Sequence, residues 1–331
     1  MNTFFSLRAF ARLHFGLADL SGATSRSYGG LGVAIDGLCA EVWARGAGDF
    51  HVEFGSADRE VCTKTSAALD RARQRGLGFA GRFSVVRPLP GHVGVGSTTA
   101  TTMAILQAIA IGNRWSLRSD QLIELSGRGR TSAVGCNTFF EGGLVADAGQ
   151  PGHPAADYLP SLQPRGRPPS LRLGRWRMPQ QWSVTLIMCT NAPSVATHDE
   201  ADFFAVATPT DSHETLEQLG CVYHGIIPAV IEEDIVSFAD SLRRYQSVGF
   251  KAREIGAQPV VVRNTLSGLW TAGFAAGLSS LGPALFVVTE RAVPLDEFLP
   301  PGAAVLGPFR FRNSGYEVLE PGDPSADRRD A

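Results

Sequence analysis

The sequence predicts an α+β protein of two domains, and three observations carry that reading. The chain has 331 residues, 44% of them hydrophobic and 19% charged, enough to build a sizeable core in each of two ordinary globular domains. Segments with strand-like alternation and segments with helical spacing follow one another along its length. A Pro- and Gly-rich stretch, Pro90 to Ala100, runs straight into the apolar segment Thr101 to Ile111, with no breaker before Gly112. That is a glycine-rich loop feeding a helix N-terminus.

Such a junction suits phosphate. The first turn of a helix has free N–H groups and the positive end of the dipole, and glycines let a ligand come close. No G-x-x-x-x-G-K-[ST] pattern is present, and the dinucleotide fingerprint lacks its strand and ribose-binding acid. The same residues also suit a plain helix capped by Ser97 and buried on most sides.

Taken in order, Phe4 to Leu17 reads as a first strand and Gly29 to Ile35 as a second, with Ser21 to Tyr28 a loop between them. Asp19 and Arg26 are an acid and a base seven positions apart on either side of a turn, either a site pair or a surface ion pair of little worth. His14 is a candidate for the same site or a core histidine. Ala40 to Phe54 reads as further strand, Asp58 to Gln74 as an amphipathic helix, Phe83 to Arg87 as a short strand, and Asp120 to Leu125 as a short helix capped by Ser119. Thr131 to Gly143 is a second loop-to-helix junction, where Arg128, Arg130, Thr131 and Ser132 could hold an anion or form a solvated loop.

Pro151 to Pro179, rich in proline and arginine, reads as a linker or flap between domains. Trp182 to Cys189 then opens the second half as a strand. Glu214 to Ile226 and Glu232 to Ser247 read as helices, the second with Ile235, Phe238, Ala239 and Leu242 on one face. Val260 to Arg263 reads as a short strand, Thr265 to Ala276 as a helix, Gly277 to Pro283 as a loop, and Ala284 to Thr289 and Val305 to Arg312 as strands. The expected division is 1–178 and 179–320, with a disordered polar tail over 321–331.

Composition excludes several classes. A net charge of −2 argues against a nucleic-acid or membrane-surface binder. No 18-residue apolar run occurs. Cys39, Cys62, Cys136, Cys189 and Cys221 are odd in number and lack C-x-x-C spacing, which predicts buried thiols in a cytoplasmic protein. Only Lys64 and Lys251 among the 30 basic residues are lysines; arginine is the better partner for phosphate and carboxylate.

Pro90 to Ala100 resembles the phosphate-loop motif of the galactokinase, homoserine kinase and mevalonate kinase (GHMP) superfamily. Thr131-Ser132-Ala133-Val134-Gly135, followed by Gly142-Gly143, resembles the kinase stretch that usually carries a catalytic aspartate, and Gly277 to Pro283 lies where a third motif would fall. Gly135 stands in the aspartate's place, and glycine can accept no proton. Arg12 to Leu20, Arg26 before Gly29-Gly30-Leu31-Gly32, Gly127 to Ser132, Gly225 to Asp234, Tyr245 to Gly249 and Gly277 to Pro283 together resemble a non-kinase branch, the β-ribofuranosylaminobenzene 5′-phosphate synthases. Tyr28 stands where that family usually has an acid.

The resemblance implies a GHMP fold, with a ribosomal S5 domain 2-like N-terminal domain holding the phosphate loop over 90–100 and a ferredoxin-like C-terminal domain. It implies a homodimer and the condensation of 5-phosphoribosyl 1-diphosphate (PRPP), with Mg²⁺, onto 4-aminobenzoate. Diphosphate and carbon dioxide leave, on the route to tetrahydromethanopterin. Departure of diphosphate leaves a cation-like ribosyl centre, so fixed donors must hold the leaving charge. Gly94, Gly96, Ser97 and Thr98, with Arg128, Arg130, Thr131, Ser132, Ser279 and Ser280, are the expected PRPP-binding residues, and Asp19, Arg26 and His14 the expected catalytic ones. Another benzoate as acceptor, a small-molecule kinase using ATP, and a purely binding role are the alternatives.

Overall fold

The computed structural model describes residues 4–152, 158–159, 168–189, 197–291 and 293–320. Its first sheet is built on two long antiparallel strands, β1 (Phe4–Asp19) and β2 (Arg26–Arg45). β2 is one continuous strand of 20 residues, which absorbs both the predicted Gly29 to Ile35 strand and the first part of Ala40 to Phe54. Its length lets it pair with β4 (Gly81–Arg87) at one end and β5 (Leu144–Asp147) at the other. β3 (Phe50–Glu53) adds to β4 in parallel, and the two-residue strand β6 (Gln150–Pro151) pairs with the start of β2. β7 (Arg172–Trp176) pairs with β5. The segment expected as an interdomain linker therefore supplies a strand to the first sheet; Tyr158 is buried, while 153–157 and 160–167 lie outside the described residues.

Two helices pack on that sheet, α2 (Ser97–Gly112) and α4 (Val134–Glu141), and α1 (Arg59–Gln74) and α3 (Ser119–Ser126) pack on α2. Asp58 caps α1 by accepting from the Glu60 N–H. α2 has apolar or small side chains all round and is buried almost throughout, Met103, Ile105, Leu106 and Ile109 completely, as expected of a helix inside a core. It begins directly after Gly96.

The second sheet has the order β11-β8-β10-β9, wholly antiparallel, from β8 (Ser183–Met188), β9 (Ala275–Leu278), β10 (Ala284–Thr289) and β11 (Ala304–Arg310). Its helices are α5 (Thr197–Ala207), α6 (Ser212–Cys221) running through a π-helical turn into α7 (Ile227–Glu232), α8 (Ile235–Gln246), α9 (Gly249–Gly256) and α10 (Val260–Thr271). Two expectations fail here. Val260 to Arg263 is the first turn of α10, its β-branched run overridden by a helical frame in which Val262, Leu266 and Leu269 pack inward. Ala275 and Ala276 have left that helix and belong to β9. The last strand, β12 (Glu317–Leu319), returns to the first sheet and pairs with β1. The tail 321–331 lies outside the described residues.

The two sheets share one core. Phe15 of β1 stacks on Phe286 of β10 at 5.3 Å and meets Phe238 of α8 edge-on. The end of α8 then stitches β1 to β9. Tyr245 donates its hydroxyl to the Gly16 carbonyl at 2.9 Å. Gln246 donates to the carbonyls of Phe15 and Leu278 and accepts from the Leu278 N–H. Both side chains are fully buried, so each bond is made where water cannot replace it. Among the described residues no helix is long and apolar enough to cross a membrane. We predict that Tyr245→Phe, which strands the buried Gly16 carbonyl, lowers the unfolding free energy by about 1–3 kcal/mol. Urea unfolding measures it, and an unchanged midpoint would contradict the role given to this bond.

Candidate functional site

The loop before α2 is pinned from both sheets. The Arg12 N–H donates to the Val95 carbonyl and the Ala284 N–H to the Val93 carbonyl. Ser279 closes the arrangement, because its hydroxyl accepts from the His14 N–H at 3.0 Å and donates to the Gly94 carbonyl at 2.7 Å. Gly94 has φ +92°, and a Cβ there would collide with the Ser279 carbonyl oxygen. Gly96 has φ +78°, and its Cβ would lie 2.9 Å from Arg12 Cγ. No other residue type fits either position without displacing its neighbour. With the Gly94 carbonyl engaged, the free N–H groups of the first turn of α2 are left for an anion.

Two adjoining cavities of about 140 and 90 Å³ open here. Arg12, Thr99, Arg128, Glu200, Ser280 and Leu281 line both. The first is completed by Gly94, Gly96, Ser97, Thr98, Glu60 and His92. The second contains His14, Leu17, Thr131, Ser132, Gly135, Phe204 and Glu254. Arg12 donates to the Gly94 carbonyl at 2.9 Å, and Arg128 donates to Thr99 Oγ1 at 3.1 Å. Burial and the neighbouring Arg128 charge lower the Arg12 guanidinium to about 10, which leaves it protonated at neutral pH. An acid in the same lining responds in the other sense. Glu200 is pushed up to about 7, by burial first and by the Glu254 charge second.

The cavity region thus gathers Gly94, Gly96, Ser97, Thr98, Arg128, Thr131, Ser132, His14 and Ser280 from the expected set. Ser279 is fully buried, with its hydroxyl spent on His14 and Gly94; it positions the loop and does not reach the cavity. Arg130 lines a separate cleft with Glu124, Glu141 and Arg172. Asp19 is buried, its carboxylate accepting from Ser21, Gly22 and Thr24. Burial raises its pKa, but those bonds outweigh it and the net is a lowered value. Arg26 donates to the carbonyls of Ala148 and Gly149 at 2.7 and 2.9 Å. Asp19 therefore holds the β1–β2 turn, Arg26 ties the start of β2 to the turn between β5 and β6, and the two do not meet as an ion pair. Tyr28, buried beside Tyr158, accepts from the Leu159 N–H.

A relay runs from the lining of the second cavity to the buried Asp147. Ser132 donates to Asp147 Oδ2 at 2.8 Å, so its oxygen must accept the contact from His14 Nε2 at 3.2 Å. His14 is thereby the Nε2–H tautomer. Burial, then the charges of Arg12 and Lys251, hold it well below its ordinary value and so neutral. Sequence reasoning missed Asp147, Arg12, Glu60, Glu200 and Glu254. Arg12 alone had a local signal, since it lies two residues before His14 on one face of a strand.

Burial pushes the Asp147 carboxyl up to about 6, against the bonds from Ser132, Gly149 and Ala133. The folded chain therefore holds this proton more tightly than the unfolded one, and stability present at low pH is lost as pH rises through about 6. We predict that the stability advantage of the parent chain over Asp147→Asn shrinks between about pH 4 and 6. Urea unfolding across that range measures it; a pH-independent difference would contradict the raised carboxyl.

No family model matches the chain. It is 28% identical to the β-ribofuranosylphenol 5′-phosphate synthase of Methanothermobacter thermautotrophicus over 316 residues, 92% of this chain and 96% of that protein. It is also 28% identical to the synthase of that name from Archaeoglobus fulgidus, over 86% of this chain and 87% of that one. Among solved structures, homoserine kinase from Cytophaga hutchinsonii superimposes with a TM-score of 0.65 at 16% identity, covering 96% of this chain and 98% of its own. Phosphomevalonate kinase from Streptococcus pneumoniae gives 0.65 at 10% identity, covering 96% and 100%. The chain is thus similar along nearly its whole length to the β-ribofuranosylphenol 5′-phosphate synthases, on the two-domain α+β fold of the GHMP kinases.

Proposed function

We propose that this protein is a decarboxylating phosphoribosyltransferase. It joins the ribosyl C1 of PRPP to the carboxylate-bearing ring carbon of 4-aminobenzoate and releases diphosphate and carbon dioxide. One observation carries the reading: position 135 has no carboxylate, and the space beside it faces Thr99 and the Arg12 guanidinium, 3.3 and 3.7 Å from where a Cβ would lie. A kinase needs a base or orienting acid at that place. Here two arginines stand beside a helix N-terminus instead, which suits a departing diphosphate. The relatives are named for a ribofuranosylphenol phosphate, which favours 4-hydroxybenzoate as a second reading of the acceptor. The resemblance further supports a homodimer in the cytoplasm, on the route to tetrahydromethanopterin.

The chain's own groups divide the work. The N–H groups after Gly96 and the Arg12 and Arg128 guanidiniums hold the leaving diphosphate, stabilising charge as it develops. Ser280, with φ +53°, closes the cavities from the second sheet. Its N–H donates to the His14 carbonyl and its carbonyl accepts from Lys251. No nucleophilic side chain is required, because the ring carbon is the nucleophile and the para amine supplies the electrons. Among the described residues no group of three or more His, Cys, Asp or Glu could cage a metal. Glu60 and Glu200 beside Ser97 and Thr98 nevertheless fit Mg²⁺ held mainly by phosphate oxygens and one or two carboxylates. Bound there, it would neutralise part of the diphosphate charge.

The test is an assay with PRPP, Mg²⁺ and each benzoate, following diphosphate and carbon dioxide together. Equal release of both is expected; release of neither with either acid, or consumption of ATP with an alcohol, would overturn the reading. Gly135→Asp places a carboxylate against Arg12 and is expected to lower kcat by about 10²-fold without creating kinase activity. A variant as active as the parent would show that the Arg12 charge is not used.

A further inference from the structure

Lys251 and Glu254 form an ion pair inside the protein that nothing above uses. They lie three residues apart on α9, with Nζ to Oε2 at 2.9 Å. Lys251 is fully buried and Glu254 is 5% exposed. Lys251 also donates to the Ser280 carbonyl at 2.6 Å. Burying such a pair rarely stabilises a fold more than apolar packing would, so a functional use is the economical explanation for it.

Its position supplies one. Glu254 lines the second cavity but not the one around the loop glycines. Oε2 is committed to Lys251, and Oε1 has no hydrogen-bond partner among the described residues. Leu17, Phe204 and Leu281 provide apolar walls in the same cavity, and Arg12 and Arg128 line it where it joins the loop. A flat ring with an anionic group at one end and a hydrogen-bond donor at the other matches that distribution.

We propose that the Glu254 carboxylate, held in place by Lys251, accepts a hydrogen bond from the para substituent of the benzoate and stabilises the positive charge that develops on it. This rests on the reaction proposed above. As the ring carbon bonds to ribosyl C1, the C1–O bond breaks and diphosphate takes its electron pair. The ring's positive charge is then carried largely by the para nitrogen or oxygen. The bond to the carboxylate breaks next, its electron pair returns to the ring, and carbon dioxide leaves. No proton need be transferred. The contact with a fixed carboxylate strengthens as that charge grows, which is how such a group raises kcat. A carboxylate accepts and does not donate, so it also selects an acceptor bearing N–H or O–H.

The test compares 4-aminobenzoate with 4-(dimethylamino)benzoate, which keeps the electron push and loses the N–H donors. The parent enzyme is expected to prefer the amino compound. Glu254→Gln keeps an acceptor but not the charge, and should lower kcat for 4-aminobenzoate by about tenfold or more with little change in KM. Lys251→Met/Glu254→Leu removes both charges together, leaves no buried lone cation, and should bring the preference ratio towards one. Calorimetric PRPP binding should stay within about twofold of the parent in Glu254→Gln, since the contact acts on the acceptor; the double variant also frees the Ser280 carbonyl and is read through its preference ratio, in which a change in PRPP binding cancels. A parent without preference, or a double variant that keeps it while binding PRPP, overturns the inference alone, because a merely steric preference would survive the change. A parent that releases neither diphosphate nor carbon dioxide overturns the reaction and this inference with it.

Discussion

One hydroxyl group holds the candidate site together. Ser279 Oγ accepts from the backbone of β1 at His14 and donates to the loop carbonyl of Gly94, so the first strand, the phosphate loop and the second sheet meet in a single buried atom. That loop carbonyl is thereby turned inward, and the N–H groups that follow it are free for a ligand. The neighbouring contacts all serve the same junction. Tyr245 and Gln246 fix the end of β1 against β9, and Lys251 holds the Ser280 carbonyl. Misplacing the Ser279 hydroxyl by an ångström would move donors away from where charge develops, which preorganised catalysis tolerates poorly.

Electrostatics then gives the junction its chemistry. Burial first, and the neighbouring Arg128 charge second, disfavour the charge on Arg12; yet Arg12 falls only to about 10 and stays a cation. With no carboxylate at 135 to pair with Arg12, its charge is left for an anionic ligand. Glu200, which lines both cavities, responds to burial and its acidic neighbours by moving up to about 7, so it competes weakly with an anionic ligand for the arginines. The resulting site favours a multiply charged anionic leaving group over a hydroxyl to be deprotonated.

Much of this was legible in the chain. The run from Pro90 to Ala100 marked its own loop and helix start, because glycine spacing and an unbroken apolar segment are local signals. The order of the weak motifs pointed to the fold that the solved structures show. Val260 to Arg263 misled because three valines favour a strand locally, while burial of every third or fourth residue imposed a helix. Pro151 to Pro179 misled because composition alone hid the register by which Arg172 to Trp176 pairs with β5. Asp19 and Arg26 have the residue types of a catalytic pair, but their bonds go to a turn and to carbonyls, a choice made by tertiary geometry. Ser279 looked like a ligand donor for the same reason; a glycine-rich sequence does not say which way its hydroxyls face.

Direct titration of the purified protein with PRPP and with ATP, each with Mg²⁺ and followed by calorimetry, tests the central claim most closely. The loop, Arg12 and Arg128 are held to form a diphosphate site for a ribosyl donor. The account predicts saturable binding of PRPP that is lost in Arg12→Ala, and no comparable binding of ATP. Tight ATP binding with none of PRPP would contradict it and return the site to the kinases whose fold it shares.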